Sequence, residues 1–105
     1  MTTRLNAFRA KAHRAGVPVI YANDNYGYWR NDPDDLFKHC MRPGTRGREL
    51  SRRMKPSRED YLILKPRHSA FFCTPLQPLL QHLGVKELIL SGLATNLCVL
   101  FTAHD

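Results

Sequence analysis

A chain of 105 residues is long enough for one domain and too short for two ordinary ones, so we expect a single domain over residues 1–105. Hydrophobic residues make up 43% and charged residues 24%, which argues against a disordered chain, and the apolar stretches are far shorter than the roughly 20 residues of a membrane-spanning helix. The net charge is +7. Arginines and lysines between residues 42 and 58 could attract an anionic partner, but no nucleic-acid motif accompanies them, so a solvated helix face is the favoured interpretation.

The first third of the chain predicts a helix, a strand and a long loop. Apolar residues at spacings of three and four predict an amphipathic helix from Leu5 to Ala15, which Gly16 ends. The β-branched run Val17–Ala22 predicts a strand buried on both faces, as in parallel sheets. Residues 23–47 are rich in Asn, Asp, Gly and Pro and predict a surface excursion with a short helix around residues 34–39.

The remaining elements alternate between helix and strand. We expect a helix over Arg48–Met54, a strand over Tyr61–Leu64 and a helix over Pro75–Leu83, with Thr74 as its N-cap. A third strand is predicted at Leu88–Gly92, and helical spacing resumes from Asn96. This alternation predicts an α/β domain with a parallel sheet covered by helices.

Two side chains in this pattern are candidates for chemistry. Cys98 follows the third predicted strand where a helix should begin, and such a position favours the thiolate form of a cysteine. Lys65 ends the second predicted strand, and the carboxyl ends of parallel strands lie at one edge of a sheet. Alone, Cys98 could be a small core residue and Lys65 a solvated charge. If they converge, the ammonium can stabilise a nucleophilic thiolate.

Three segments resemble a known family. Leu64–Phe71, Ser91–Val99 and the first helix with Val17–Asp24 are similar, in order, to the isochorismatase-like cysteine hydrolases, which include nicotinamidases. The resemblance implies a three-layer α/β/α fold with a parallel sheet. Here it implies a partial domain, because the family's central first strand would precede the first helix and is missing from this sequence.

The resemblance also implies the catalytic residues. The family triad is an aspartate, a lysine and a cysteine, and Lys65 and Cys98 match the last two. The aspartate belongs to the missing strand, and Asp24 does not replace it by motif because it follows the next strand. Cys98 would form an acyl-thioenzyme, and the backbone N–H groups of Ala94 and Cys98 would form the oxyanion hole. Leu93–Ala94 matches a non-proline cis peptide bond of the family.

Other family features are only partly matched. Some members bind a metal through an aspartate and histidines; Asp24 matches that acid, but the following residues offer no histidine, so we expect no metal and no other cofactor. Four residues are predicted to line a substrate pocket: Tyr26, Trp29, Arg30 and Phe71. Their alternative interpretation is an ordinary surface loop. His68 is expected to orient the loop that follows Lys65, called the lysine loop below, or to be solvated. Cys40 and Cys73 are expected to be structural.

Two functions follow from this reading. The first is a cysteine hydrolase that cleaves a C–N bond of a small amide, or a related substrate, through a thioester; this chain would be a fragment without the triad aspartate, so its activity is uncertain. The alternative is an inactive remnant that serves as a binding or assembly module. Because a missing central strand leaves unpaired edges, we expect homo-oligomers. We expect a small-molecule substrate, a cytoplasmic location, and neither membrane nor nucleic-acid binding.

Overall fold

The structure is a computed structural model that describes residues 2–27, 29 and 32–105. Its elements in chain order are α1 (Thr2–Arg14), β1 (Ile20–Asp24), α2 (Pro33–Cys40), α3 (Arg48–Arg53), β2 (Tyr61–Lys65), α4 (Leu76–His82), a π-helical turn (Thr95–Val99) and α5 (Leu100–His104). The chain divides into two compact units, one with residues up to 21 and 28–62, the other with residues 22–27 and 63–105.

The two strands pair in parallel. The N–H of Tyr61 donates to the carbonyl of Val19 at 2.9 Å, and the N–H of Asn25 donates to the carbonyl of Lys65 at 3.0 Å. Residue numbers rise in the same direction along both strands, which is the parallel arrangement that the α/β alternation predicted. The last residues of β1 and β2 therefore lie at the same edge.

The first unit is held by polar contacts between α1 and the segment before β2. Helix α1 ends at Arg14, and Gly16 follows with a φ of +67°, a conformation that glycine adopts without steric cost. His13 Nε2 lies 2.6 Å from Asp60 Oδ1, and the buried Asp60 carboxylate accepts the N–H of Ser57 at 2.7 Å. Burial raises the pKa of Asp60, but the hydrogen bonds from Ser57 and His13 outweigh it and lower the pKa overall.

The second unit builds a small core around the end of β2. Its buried apolar residues include Ile63, Ala70 and Leu76, and Lys65 and Thr102 are buried beside them as polar residues. Buried polar groups of this kind require hydrogen-bond partners. In the described part of the chain, each such side-chain atom has one.

Two expectations about strands are wrong. All five residues of β1 are half-buried rather than fully buried, because β2 is the only strand that pairs with β1 among the described residues. The predicted strand at Leu88–Gly92 is not formed, and Ile89 is 76% exposed. An extended apolar segment becomes a strand through backbone hydrogen bonds to a neighbour. The described residues supply none for this segment.

The helices are all short. Within the residues that the structure describes, none has the length and apolar character needed to cross a bilayer.

Candidate active site

The site is built around the buried ammonium of Lys65. Its side chain is 3% exposed, and Nζ lies 3.3 Å from Cys98 Sγ. The same ammonium donates to the carbonyl of Arg67 at 2.9 Å and forms an ion pair with the Asp24 carboxylate. All four residues belong to the second unit. A buried ammonium is costly unless it is paired and hydrogen-bonded, and here it has partners on three sides.

Strand topology accounts for the meeting of Lys65 and Asp24. Lys65 is the last residue of β2 and Asp24 the last residue of β1, so the parallel pairing brings them to one edge. Cys98 lies in the π-helical turn that follows the irregular segment at residues 85–94. A π-turn inside a helical segment is uncommon and occurs often at functional sites.

The backbone before Cys98 has a distinct geometry. The Leu93–Ala94 peptide bond is cis, at the position that the resemblance indicated. The carbonyl of Ala94 accepts the N–H groups of Leu97 at 3.1 Å and Val99 at 3.3 Å. The assignment of the Ala94 and Cys98 N–H groups to an oxyanion hole stays a prediction.

The predicted pocket residues belong to different units of the chain: Trp29 to the first, and Tyr26 and Phe71 to the second. Tyr26 is 65% exposed with a φ of +52°, and Trp29 is 78% exposed. Phe71 is half-buried, and its N–H donates to Ser69 Oγ at 3.2 Å. Arg30 lies outside the described residues. The role of these four side chains in substrate binding stays a prediction.

Sequence reasoning missed Asp24 as a partner of Lys65. The resemblance relates Asp24 only to the family's triad aspartate and to its metal-binding aspartate. The signal was nevertheless available, because Asp24 ends a parallel strand just as Lys65 does, and the same edge rule applies to both. Within the described residues, no group of three His, Cys, Asp or Glu side chains lies together as a metal site would require.

The remaining candidates have other environments. Cys73 is exposed with a φ of +52°, and Cys40 is half-buried; the structural role expected of both stays a prediction. His68 does not contact the lysine through any described hydrogen bond; its ring lies 5.6 Å from that of Phe101. Within the lysine loop, the contact to Lys65 is made by the carbonyl of Arg67, which accepts the hydrogen bond from Nζ.

Comparison with known proteins identifies one family model and several related proteins. The Isochorismatase domain model matches residues 1–105. The chain is 42% identical over 88 residues to the uncharacterized isochorismatase family protein YaaI of Bacillus subtilis (strain 168), covering 84% of this chain and 48% of that protein. It is 36% identical over 90 residues to the ureidoacrylate amidohydrolase RutB of Enterobacter sp. (strain 638), covering 86% of this chain and 39% of that protein.

Among solved structures, N-carbamoylsarcosine amidase from Thermoplasma acidophilum superposes with a TM-score of 0.72 at 29% identity, over 99% of this chain and 60% of that chain. This chain thus spans less than half the length of the two curated relatives. The match of the domain model along the whole chain, together with the fold, shows that the chain belongs to the isochorismatase family of hydrolases.

Proposed function

We propose that this chain carries the lysine and the cysteine of a cysteine hydrolase site that cleaves a C–N bond of a small amide through a thioester intermediate. The observation that carries the proposal is the 3.3 Å distance between the buried Lys65 Nζ and Cys98 Sγ. A fixed ammonium beside a sulfur favours the thiolate, which is the nucleophilic form of cysteine.

In the proposed reaction, Cys98 Sγ attacks the carbonyl carbon of the amide. A C–S bond forms, the C–N bond breaks, and the thiol proton ends on the departing nitrogen. Water then attacks the thioester, the C–S bond breaks, and the acid and the free thiol are released. The N–H groups of Ala94 and Cys98 are proposed to hold the oxygen that becomes negative in both steps.

The relatives support an amide rather than another substrate class. One is named a ureidoacrylate amidohydrolase and another an N-carbamoylsarcosine amidase, and both names specify the cleavage of a C–N bond in a small molecule. We extend only this substrate class to the present chain. Tyr26, Trp29, Arg30 and Phe71 remain the proposed substrate-binding residues.

The proposal is tested by labelling the cysteines of the folded chain with iodoacetamide at pH 7 and quantifying each site by mass spectrometry. Cys98 should label faster than Cys40 and Cys73. Cys73 is the stricter comparison, because it is exposed and Cys98 is only half-buried, so accessibility alone would favour Cys73. Equal labelling, or slower labelling of Cys98, would contradict the proposal.

A second candidate function is a binding or assembly module. It is favoured by exposed apolar side chains in the second unit. They are Phe72, Leu88, Ile89, Leu90, Leu93, Leu97, Leu100 and Phe101. Exposed apolar surface marks sites of association. A chain that forms defined oligomers but shows no preferential labelling of Cys98 would support this candidate over the hydrolase.

A further inference from the structure

Thr102 is a buried polar residue that the proposed chemistry does not use. It lies on α5, four residues after Cys98, and is 8% exposed. Its hydroxyl donates to the carbonyl of Cys98 at 2.6 Å and accepts the N–H of Ala70 at 2.9 Å. One side chain therefore links Cys98, which carries the nucleophile, to the loop residue Ala70, which lies 32 positions before Thr102 in the sequence.

That loop is the one that follows Lys65. Lys65 Nζ donates to the carbonyl of Arg67, so the loop backbone helps to hold the ammonium. Ala70 lies three residues further on, and its carbonyl accepts the hydroxyl of Thr74. Ala70 is thus held by a side chain on each side, by Thr102 toward the cysteine and by Thr74 toward α4.

A simpler explanation covers only half of these contacts. A threonine within a helix often donates to the carbonyl four residues earlier, which would explain the bond from Thr102 to Cys98 without any link to the site. It would not explain why the same oxygen accepts the N–H of Ala70. The second bond joins α5 to the lysine loop, so the position of Cys98 depends on the position of that loop.

We propose that Thr102 is a positioning residue that holds Cys98 Sγ within reach of Lys65 Nζ, an inference that rests on the proposed function of these two residues. Without the hydroxyl, the lysine loop and the helix lose a common fixed point, and the sulfur and the ammonium separate. The loss of one such hydrogen-bonded link should slow the reaction of Cys98 at pH 7 by roughly three- to tenfold.

The experiment compares Thr102→Val with Thr102→Ser and with Thr74→Val. Valine keeps the shape of threonine and removes the hydroxyl, while serine keeps the hydroxyl. Thr74→Val is the matched control, because it removes the hydroxyl that donates to the carbonyl of the same loop residue, Ala70, and leaves the bond between Thr102 and Cys98 in place. The readout is the iodoacetamide labelling rate of Cys98 between pH 6 and pH 9, relative to Cys73 in the same molecule.

Thr102→Val should lower the relative rate at pH 7 and change its pH dependence, whereas Thr102→Ser and Thr74→Val should follow the unmodified chain. A folded Thr102→Val protein with the unmodified pH dependence would overturn the inference, as would an equal effect of Thr74→Val. If the unmodified chain shows no preference for Cys98, the proposed function fails, and this inference fails with it. If the labelling rate of Cys98 relative to Cys73 is the same in Thr102→Val as in the unmodified chain, the inference is wrong and the proposed function still stands.

A second measurement decides the matter if Thr102→Val does not fold. In the unmodified chain, the Ala70 amide should be protected from hydrogen exchange by Thr102. On addition of urea, this protection and the labelling preference for Cys98 should disappear together. Cys98 that keeps its preference after the Ala70 amide exchanges freely would overturn the inference.

Discussion

Replacement of Lys65 by methionine tests the centre of the proposed site. Methionine is of similar length and can occupy the buried position without the charge. At 3.3 Å and an effective dielectric constant of about 20, a unit positive charge stabilises a thiolate by about 5 kcal/mol. The Asp24 carboxylate on the same ammonium offsets part of this stabilisation. For the remainder we take about 1.5–3 kcal/mol, the usual contribution of a hydrogen bond to a charged group.

This remainder corresponds to a decrease of roughly ten- to a hundredfold in the labelling rate of Cys98 at pH 7. The assay is the iodoacetamide experiment, with Cys73 as the internal reference and Lys38→Met as the control. Lys38 is an exposed lysine paired with Asp35 in the first unit, so its replacement should leave Cys98 unchanged. The reasoning is refuted if folded Lys65→Met protein labels at Cys98 within twofold of the unmodified chain.

Three further outcomes are expected. Asp24→Asn should lower the free energy of unfolding in urea by about 1–3 kcal/mol, because the buried Lys65 loses its anionic partner; it should not slow Cys98 labelling, and slower labelling would contradict the offsetting role assigned to the carboxylate. Asp60 has a lowered pKa, so its carboxylate should stabilise the fold above about pH 4, and this stabilisation should disappear as the pH falls through the folded pKa. The free energy of unfolding in urea should therefore decrease less on acidification in Asp60→Asn than in the unmodified chain, and an equal decrease would contradict this prediction. The chain should self-associate in analytical ultracentrifugation and Ile89→Lys should reduce this; a monodisperse monomer before substitution would refute it.

The sequence predicted most elements because their signals are local. The period of α1, the glycine that follows it and the short apolar runs at β1 and β2 each depend on neighbouring residues. The segment at Leu88–Gly92 carries an equally good local signal, yet it is irregular. A strand depends on a partner that the local sequence does not specify, and this is why the prediction failed there.

The candidate site was predictable only in part. The edge rule for parallel strands suggested that Lys65 and Cys98 could converge, and it would have added Asp24 if applied without regard to family motifs. The link through Thr102 had no comparable signal. A threonine in a short helix is ordinary, and its contact with Ala70 joins residues that are far apart in sequence.

The amino-acid sequence by itself determined the order of helices and strands from α1 to α4, the parallel direction of β1 and β2, and the family motifs around Lys65 and Cys98. Only the tertiary structure decided that the buried ammonium lies between Asp24, Arg67 and Cys98, and that one hydroxyl joins the cysteine helix to the lysine loop. The physical reason is that side-chain periodicity and turn signals act over a few residues. Distances of about 3 Å between charged and polar atoms depend on how distant segments pack.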